Sequence, residues 1–173
     1  AYTEISATGE AQYIRYGSSF QQFVPLNKQY SLAFNVDWAQ GQPIGGGTFP
    51  VFKNFYVGGL GSVRGYAQGS LGPRDVTGWV TGGAKKLVMN SEFFMPFPGA
   101  GNDKSLRLYG FVDAGNVFAA NDPIRISELR AAYGAGLSWV SPMGPLRLAV
   151  ANPINPQSGD RINRLQFQIG NTF

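Results

Sequence analysis

Apolar and polar residues alternate with a period of two through most of this chain, and no other property restricts its fold as much. Across residues 30–38, Tyr30, Leu32, Phe34, Val36 and Trp38 share one face, while Ser31, Ala33, Asn35 and Asp37 share the other. Side chains on a β-strand point alternately to opposite faces, so this pattern predicts a strand with one apolar side. Similar runs occupy residues 3–11, 86–95, 106–114, 129–140, 146–150 and 164–173. A further run, 16–25, has an ambiguous phase. No window sustains a helical period. The pattern amounts to about eight antiparallel strands of ~10 residues joined by short turns and longer loops, the signature of a transmembrane barrel.

A soluble β-sandwich also alternates, so composition is needed to separate the two. Charged residues make up only 14% of the chain, against ~25% in ordinary soluble domains. Aromatic residues stand near predicted strand ends at Tyr30, Trp38, Trp139 and Phe173, as in the girdles that mark a membrane interface. The expectation is an all-β antiparallel transmembrane β-barrel, a single domain over residues 1–173, in the bacterial outer membrane. A sandwich would instead turn Leu32, Phe34, Leu108, Leu148 and Phe167 inward beneath a second sheet. No apolar run approaches the ~18 residues of a membrane-spanning helix. No signal peptide opens the chain, which reads as a mature form or as a fragment of something longer.

Absent residue types exclude whole classes of chemistry. With no cysteine and no histidine, thiol catalysis, Cys/His zinc sites and Ser-His-Asp triads are ruled out. Ser62 and Ser138 have no base to activate them. No enzyme activity, cofactor or metal is expected. The net charge of +4 comes from scattered residues, only Lys85 and Lys86 being adjacent, so no nucleic-acid partner is expected. Gly59-Leu60-Gly61-Ser62-Val63-Arg64-Gly65 nearly matches a dinucleotide fingerprint. Arg64, however, stands where the third glycine belongs, and no helix follows. Asp103, Asp122 and Asp160 are loop acids without EF-hand spacing and are expected to be solvated.

Residues 41–81 interrupt the strands. They hold Gly45-Gly46-Gly47, Pro43, Pro50 and Pro73, together with Phe49, Phe52, Phe55, Tyr56 and Tyr66. Structureless loops beyond ~12–15 residues are uncommon in compact domains, and the aromatics point to a loop that folds in. At its centre, Val63-Arg64-Gly65-Tyr66 lies in a run dense in glycine. Such a run lets the backbone wrap closely around one side chain, and a guanidinium is a rigid fork suited to carboxylates. A solvated loop carrying an ordinary arginine fits this composition equally well. Alternation places Asp113 opposite Leu106, Leu108 and Val112, and Glu92 opposite Leu87, Met89, Phe93 and Met95. Both acids therefore face the polar side of the sheet, where they could equally meet lumen water.

Val63-Arg64-Gly65-Tyr66 resembles the VRGF/Y motif of the BamA-type outer-membrane assembly proteins, whose superfamily also includes TamA and the two-partner-secretion transporters. Residues 109–118 (YGFVDAGNVF) resemble the family's strand ending in aspartate and glycine. Ser141-Pro142-Met143-Gly144-Pro145-Leu146 resembles its SPxGPL turn, and residues 166–173 (QFQIGNTF) its closing strand. The resemblance covers nearly the whole chain. It implies the C-terminal half of a sixteen-stranded barrel, with the first half and the periplasmic POTRA modules outside this chain. It also implies that the loop folds into the lumen and that Arg64 pairs with Glu92 and Asp113 to anchor it, with Val63, Gly65 and Tyr66 completing the motif. The terminal strand, with Phe167, Ile169, Gly170 and Phe173, would form one side of a seam; Gly170 either kinks it or is simply a small packing residue. The implied activity is folding and insertion of outer-membrane barrels by strand templating at that seam. The implied partners are outer-membrane lipid, nascent outer-membrane proteins and assembly-complex lipoproteins reached through the missing modules. A polypeptide transporter of the two-partner kind and a stand-alone small barrel are the alternatives.

Overall fold

The structure is a computed structural model that describes residues 1–7, 12–99, 105–142 and 144–170. Ten strands run in chain order: β1 (Tyr2–Ser6), β2 (Tyr13–Pro25), β3 (Ser31–Pro43), β4 (Gly65–Tyr66), β5 (Lys85–Pro96), β6 (Leu106–Phe118), β7 (Arg130–Ser141), β8 (Gly144–Pro153), β9 (Ile162–Asn163) and β10 (Leu165–Ile169). Eight of them form one antiparallel meander in the order β1-β2-β3-β5-β6-β7-β8-β10, and β4 pairs with β9 outside it. Each strand of the meander hydrogen-bonds its predecessor, so local turn chemistry sets the register. Between β2 and β3, Asn27 Oδ1 accepts from the N–H groups of Gln29 and Tyr30 at 2.8 and 2.9 Å, closing an Asx turn. Ser141 pairs with Gly144 between β7 and β8, and Gly144 takes a φ of 116°, which only glycine adopts without strain.

The meander is open: among the described residues β1 and β10 do not pair with each other. One face is bare. It presents Phe34, Val112, Tyr133, Trp139, Leu148, Val150 and Phe167 to the outside. No second sheet covers these residues, so the sandwich alternative fails. The other face carries residues 44–84, the connection from β3 to β5. Ala39, Val88, Val117 and Ala132 of that face pack with Phe55, Val57, Val63, Tyr66 and Leu71 of the loop in one buried cluster. The apolar core thus lies between sheet and loop, and the outer apolar stripe serves lipid.

The strand bounds differ from the sequence pattern in physically readable ways. β3 continues past Trp38 to Pro43, so Trp38 lies inside the strand and not at its end. Strands of this length exceed the ~9–11 residues needed to cross a bilayer, and an aromatic can mark the interface from within one. The ambiguous run is β2, whose C-terminal half is exposed on both faces. Phe23 faces inward yet stays exposed, because it lines an open cavity with Phe94 and Ser31 that the loop does not fill. Expected strand residues 8–11 and the aromatic Phe173 lie outside the described residues. β10 is described only to Ile169, followed by Gly170 at φ 84°, so a left-handed turn residue, and not merely a small one, stands at the strand's end.

Candidate functional site

Three strands build an inward-facing polar patch. Register places Asn35, Asn90 and Asp113 side by side across β3, β5 and β6. Asn35 Nδ2 donates to Asn90 Oδ1 at 3.1 Å, and Asn90 Nδ2 donates to Asp113 Oδ1 at 2.8 Å. Glu92 and Phe111 form the next inward pair. The loop lowers Arg64 onto this patch. Its Nε and Nη2 donate to Asp113 Oδ2 and Oδ1 at 2.7 and 2.6 Å, its backbone N–H reaches Oδ2 at 3.0 Å, and Nη1 reaches Glu92 Oε1 at 2.5 Å. The guanidinium carbon lies 3.6 Å from the Phe111 ring centroid, a cation–π stack.

This geometry decides between anchored and solvated arginine. Arg64 is 1% exposed and Asp113 is fully buried. Two buried charges would be costly alone, and a bidentate pair with every oxygen engaged is the arrangement that offsets the cost. Burial works against the guanidinium's charge, but hydrogen bonds and charge from Asp113, then Glu92, outweigh it and hold the group above its ordinary range. Glu92 also accepts from Arg147 Nη2 at 3.0 Å, so it bridges two arginines. It keeps some exposure because a polar cavity of about 150 Å³, lined by Asn35, Asn90 and Arg147 among others, opens beside it.

The rest of the motif serves the approach. Val63 packs against Gly115, where an added Cβ would lie 2.9 Å from the valine methyl. Gly65 has φ 89°, a conformation that side chains rarely adopt, and an added Cβ would lie a tight 3.2 Å from the Ala151 Cβ. Tyr66 is fully buried; its hydroxyl donates to the Ala131 carbonyl at 3.3 Å. Burial, followed by the charge of Asp160, pushes its phenol up to about 12.

The structure therefore brings Arg64, Glu92, Asp113, Val63, Gly65 and Tyr66 into one assembly. Phe167, Ile169 and Gly170 lie apart from it, on and after the terminal strand, with Phe167 75% exposed on the bare face. Several participants escaped sequence reading: Asn90, Arg147, Phe111 and Gln166, whose Nε2 donates to the Tyr66 carbonyl at 2.7 Å. All four stand at inward positions of their strands, the available signal. The expectation of a solvated Asp160 is overturned. Its carboxylate is buried, accepting from Arg130 Nε at 2.7 Å and the Gln157 N–H at 2.8 Å, with Arg74 at 4.0 Å. The loop closes over it, which no local spacing reveals.

A membrane-spanning antiparallel sheet, apolar outside and ion-paired within to its own long loop, defines an outer-membrane barrel protein with an occupied lumen. The chain belongs to the Omp85 superfamily, whose domain matches residues 3–173. It is 35% identical to the outer membrane protein assembly factor BamA of Neisseria meningitidis serogroup B over 87% of this chain and 23% of that protein. It is 34% identical to the sorting and assembly machinery component 50 homolog A of Xenopus laevis over 76% of this chain and 31% of that one. A crystal structure of BamA from Haemophilus ducreyi lacking POTRA domains 1–3 superposes with a TM-score of 0.85 at 29% identity, covering 91% of this chain and 35% of that chain. The chain thus spans between about a fifth and about a third of these relatives' lengths, and the open meander is a partial barrel.

Proposed function

We propose that this chain is the C-terminal part of the barrel of an outer-membrane protein assembly factor, and that β10 is the seam strand at which nascent barrel proteins are paired and released into lipid. The observation that carries this reading is the 35% identity to an outer membrane protein assembly factor over 87% of this chain. The inner side of β10 is tied to the loop through Gln166, its outer side (Leu165, Phe167, Ile169) is exposed and apolar, and among the described residues it pairs with β8. An unpaired strand edge at membrane depth is a template for another strand. Arg64, Glu92 and Asp113 act structurally, pinning the loop so that the lumen side of the seam stays filled. The relatives named above are assembly components, which favours assembly over polypeptide transport and over a stand-alone barrel. Outer-membrane lipid and nascent barrel proteins are the direct partners, and lipoproteins would dock through modules outside this chain.

Photo-crosslinkers placed at Leu165 and Ile169 of the full-length protein test the reading. During assembly of a radiolabelled client barrel, adducts should form with a client strand. Client assembly proceeding at the normal rate with no adduct at either position, while a crosslinker on β6 behaves the same way, would remove β10 from the mechanism.

A further inference from the structure

The loop does more than rest on the central strands: it reaches across the whole sheet. Near β1, Lys53 Nζ lies 2.5 Å from Glu4 Oε1, which also accepts from the Tyr13 hydroxyl at 2.6 Å. Over β5 and β6 it is fixed by Arg64. At the far side three bonds converge on the terminal strand and its approach. Gln166 Nε2 donates to the Tyr66 carbonyl at 2.7 Å, the Ala67 N–H donates to the Arg161 carbonyl at 2.7 Å, and β4 pairs with β9, which leads directly into β10.

We propose that the loop is a strap latching the terminal strand to the clamp on β5 and β6, with Gln166 as the positioning residue of the latch. The inference rests on the reading of β10 as the seam and adds what holds that seam shut. Among the described residues β10 has five residues and one hydrogen-bonded neighbour, β8. A short strand at a seam, firmly paired on one side, opens locally at low cost. The amide of Gln166 changes that balance. Gln166 is 7% exposed and Tyr66 fully buried, so losing the donor leaves a carbonyl without water or partner. The strands beneath are built for the loop's close approach: Ala149 on β8 and Gly136 on β7 occupy the same cross-strand row as Gln166. Gln166 Oε1 has no partner among the described residues. The tie at Gln166 is therefore one hydrogen bond, which suits a latch that must also let go.

Amide hydrogen exchange of the full-length protein in lipid bilayers tests the strap. Gln166→Leu should speed exchange of the β8-paired amides of β10 roughly three- to tenfold, the loss of one desolvated hydrogen bond, and leave β5 and β6 unchanged. Arg64→Ala, which releases the loop from β5 and β6, should produce the same acceleration at β10 and add little in the Gln166→Leu background, because both cut one strap. If Gln166→Leu does not fold, Gln166→Asn, which shortens the arm, should give the same result. Unchanged β10 exchange in a folded Gln166 variant, or additive effects of the two substitutions, overturns the strap. Client insertion is measured in parallel. Faster β10 exchange with unaltered insertion leaves the strap standing and instead removes the seam from the assembly reading.

Discussion

Deleting the Arg64 side chain strands a carboxylate. Asp113 is fully buried, and three of its four hydrogen bonds come from Arg64, one of them from the backbone. Arg64→Ala should therefore cost about 3–5 kcal/mol, the scale for removing one partner of a buried ion pair. Arg64→Lys should recover little, since an ammonium cannot reproduce the fork that spans both oxygens and lies flat on Phe111. Glu92→Gln should cost less, roughly 1–3 kcal/mol, because Glu92 receives one Arg64 bond and borders an open cavity. Urea unfolding of the protein in detergent, with all three variants side by side, checks the order; equal losses for Arg64→Ala and Glu92→Gln would contradict it. The buried phenol of Tyr66 supplies a pH signature. Its folded pKa of about 12 lies above the ordinary value near 10, so the neutral form is favoured in the fold. That contribution is complete below about pH 10 and is lost as pH rises towards 12. Tyr66→Phe should remove one phenol from the late-titrating part of the tyrosinate absorbance.

Elements are held in register by shape as much as by charge. Tyr109 and Phe111 of β6 lie directly opposite Gly136 and Gly134 of β7, and their rings cover these glycines. A Cβ built on Gly136 would come 2.4 Å from the Tyr109 ring and 2.2 Å from the Leu148 carbonyl oxygen. Gly136→Ala must displace both, including the bond from the Tyr109 hydroxyl to that carbonyl, and should cost roughly 1–3 kcal/mol as overpacking. Gly110, on the lipid side, has nothing nearer than 3.9 Å. Gly110→Ala should stay within about 0.5 kcal/mol, and thermal melts of the two variants compare them. This level also marks how far the sequence is legible. Alternation alone sorts Asp113, Glu92, Tyr109 and Phe111 to the inner face, because a period of two is a backbone property visible in the residue order. The partners of those residues are not visible, since they depend on where a long loop comes to rest. Gln166 and Arg147 share the inner face with many unremarkable residues, and Asp160 reads as a solvent-facing loop acid until the loop is seen to cover it. The pairing of Arg64 with Glu92 was reachable only through family resemblance, because no local spacing links residues on separate elements.

At the scale of the whole molecule, the loop and the strand count conflict unless other strands complete the barrel. A barrel of eight strands has an interior just wide enough for side chains. Here that space holds residues 44–84, with Phe55, Val57, Tyr66 and Leu71 buried in it. The meander cannot close on itself while the loop stays inside. Nor can it remain open in lipid, where unpaired backbone groups on β1 and β10 would each cost several kcal/mol. The chain by itself then has two outcomes. It keeps the loop and pairs its edges with other copies, or it expels the loop and closes alone. Expulsion exposes the buried cluster and separates Arg64 from two carboxylates, a larger loss than associating through edges that already match antiparallel neighbours. Residues 1–173 refolded alone in detergent should therefore sediment as species larger than a monomer, with the segment around Arg64 resistant to protease. A monomer whose loop is cut rapidly at Arg64 would show that closure outweighs the clamp, and would mean that the strands, more than the loop, govern how this sheet bends.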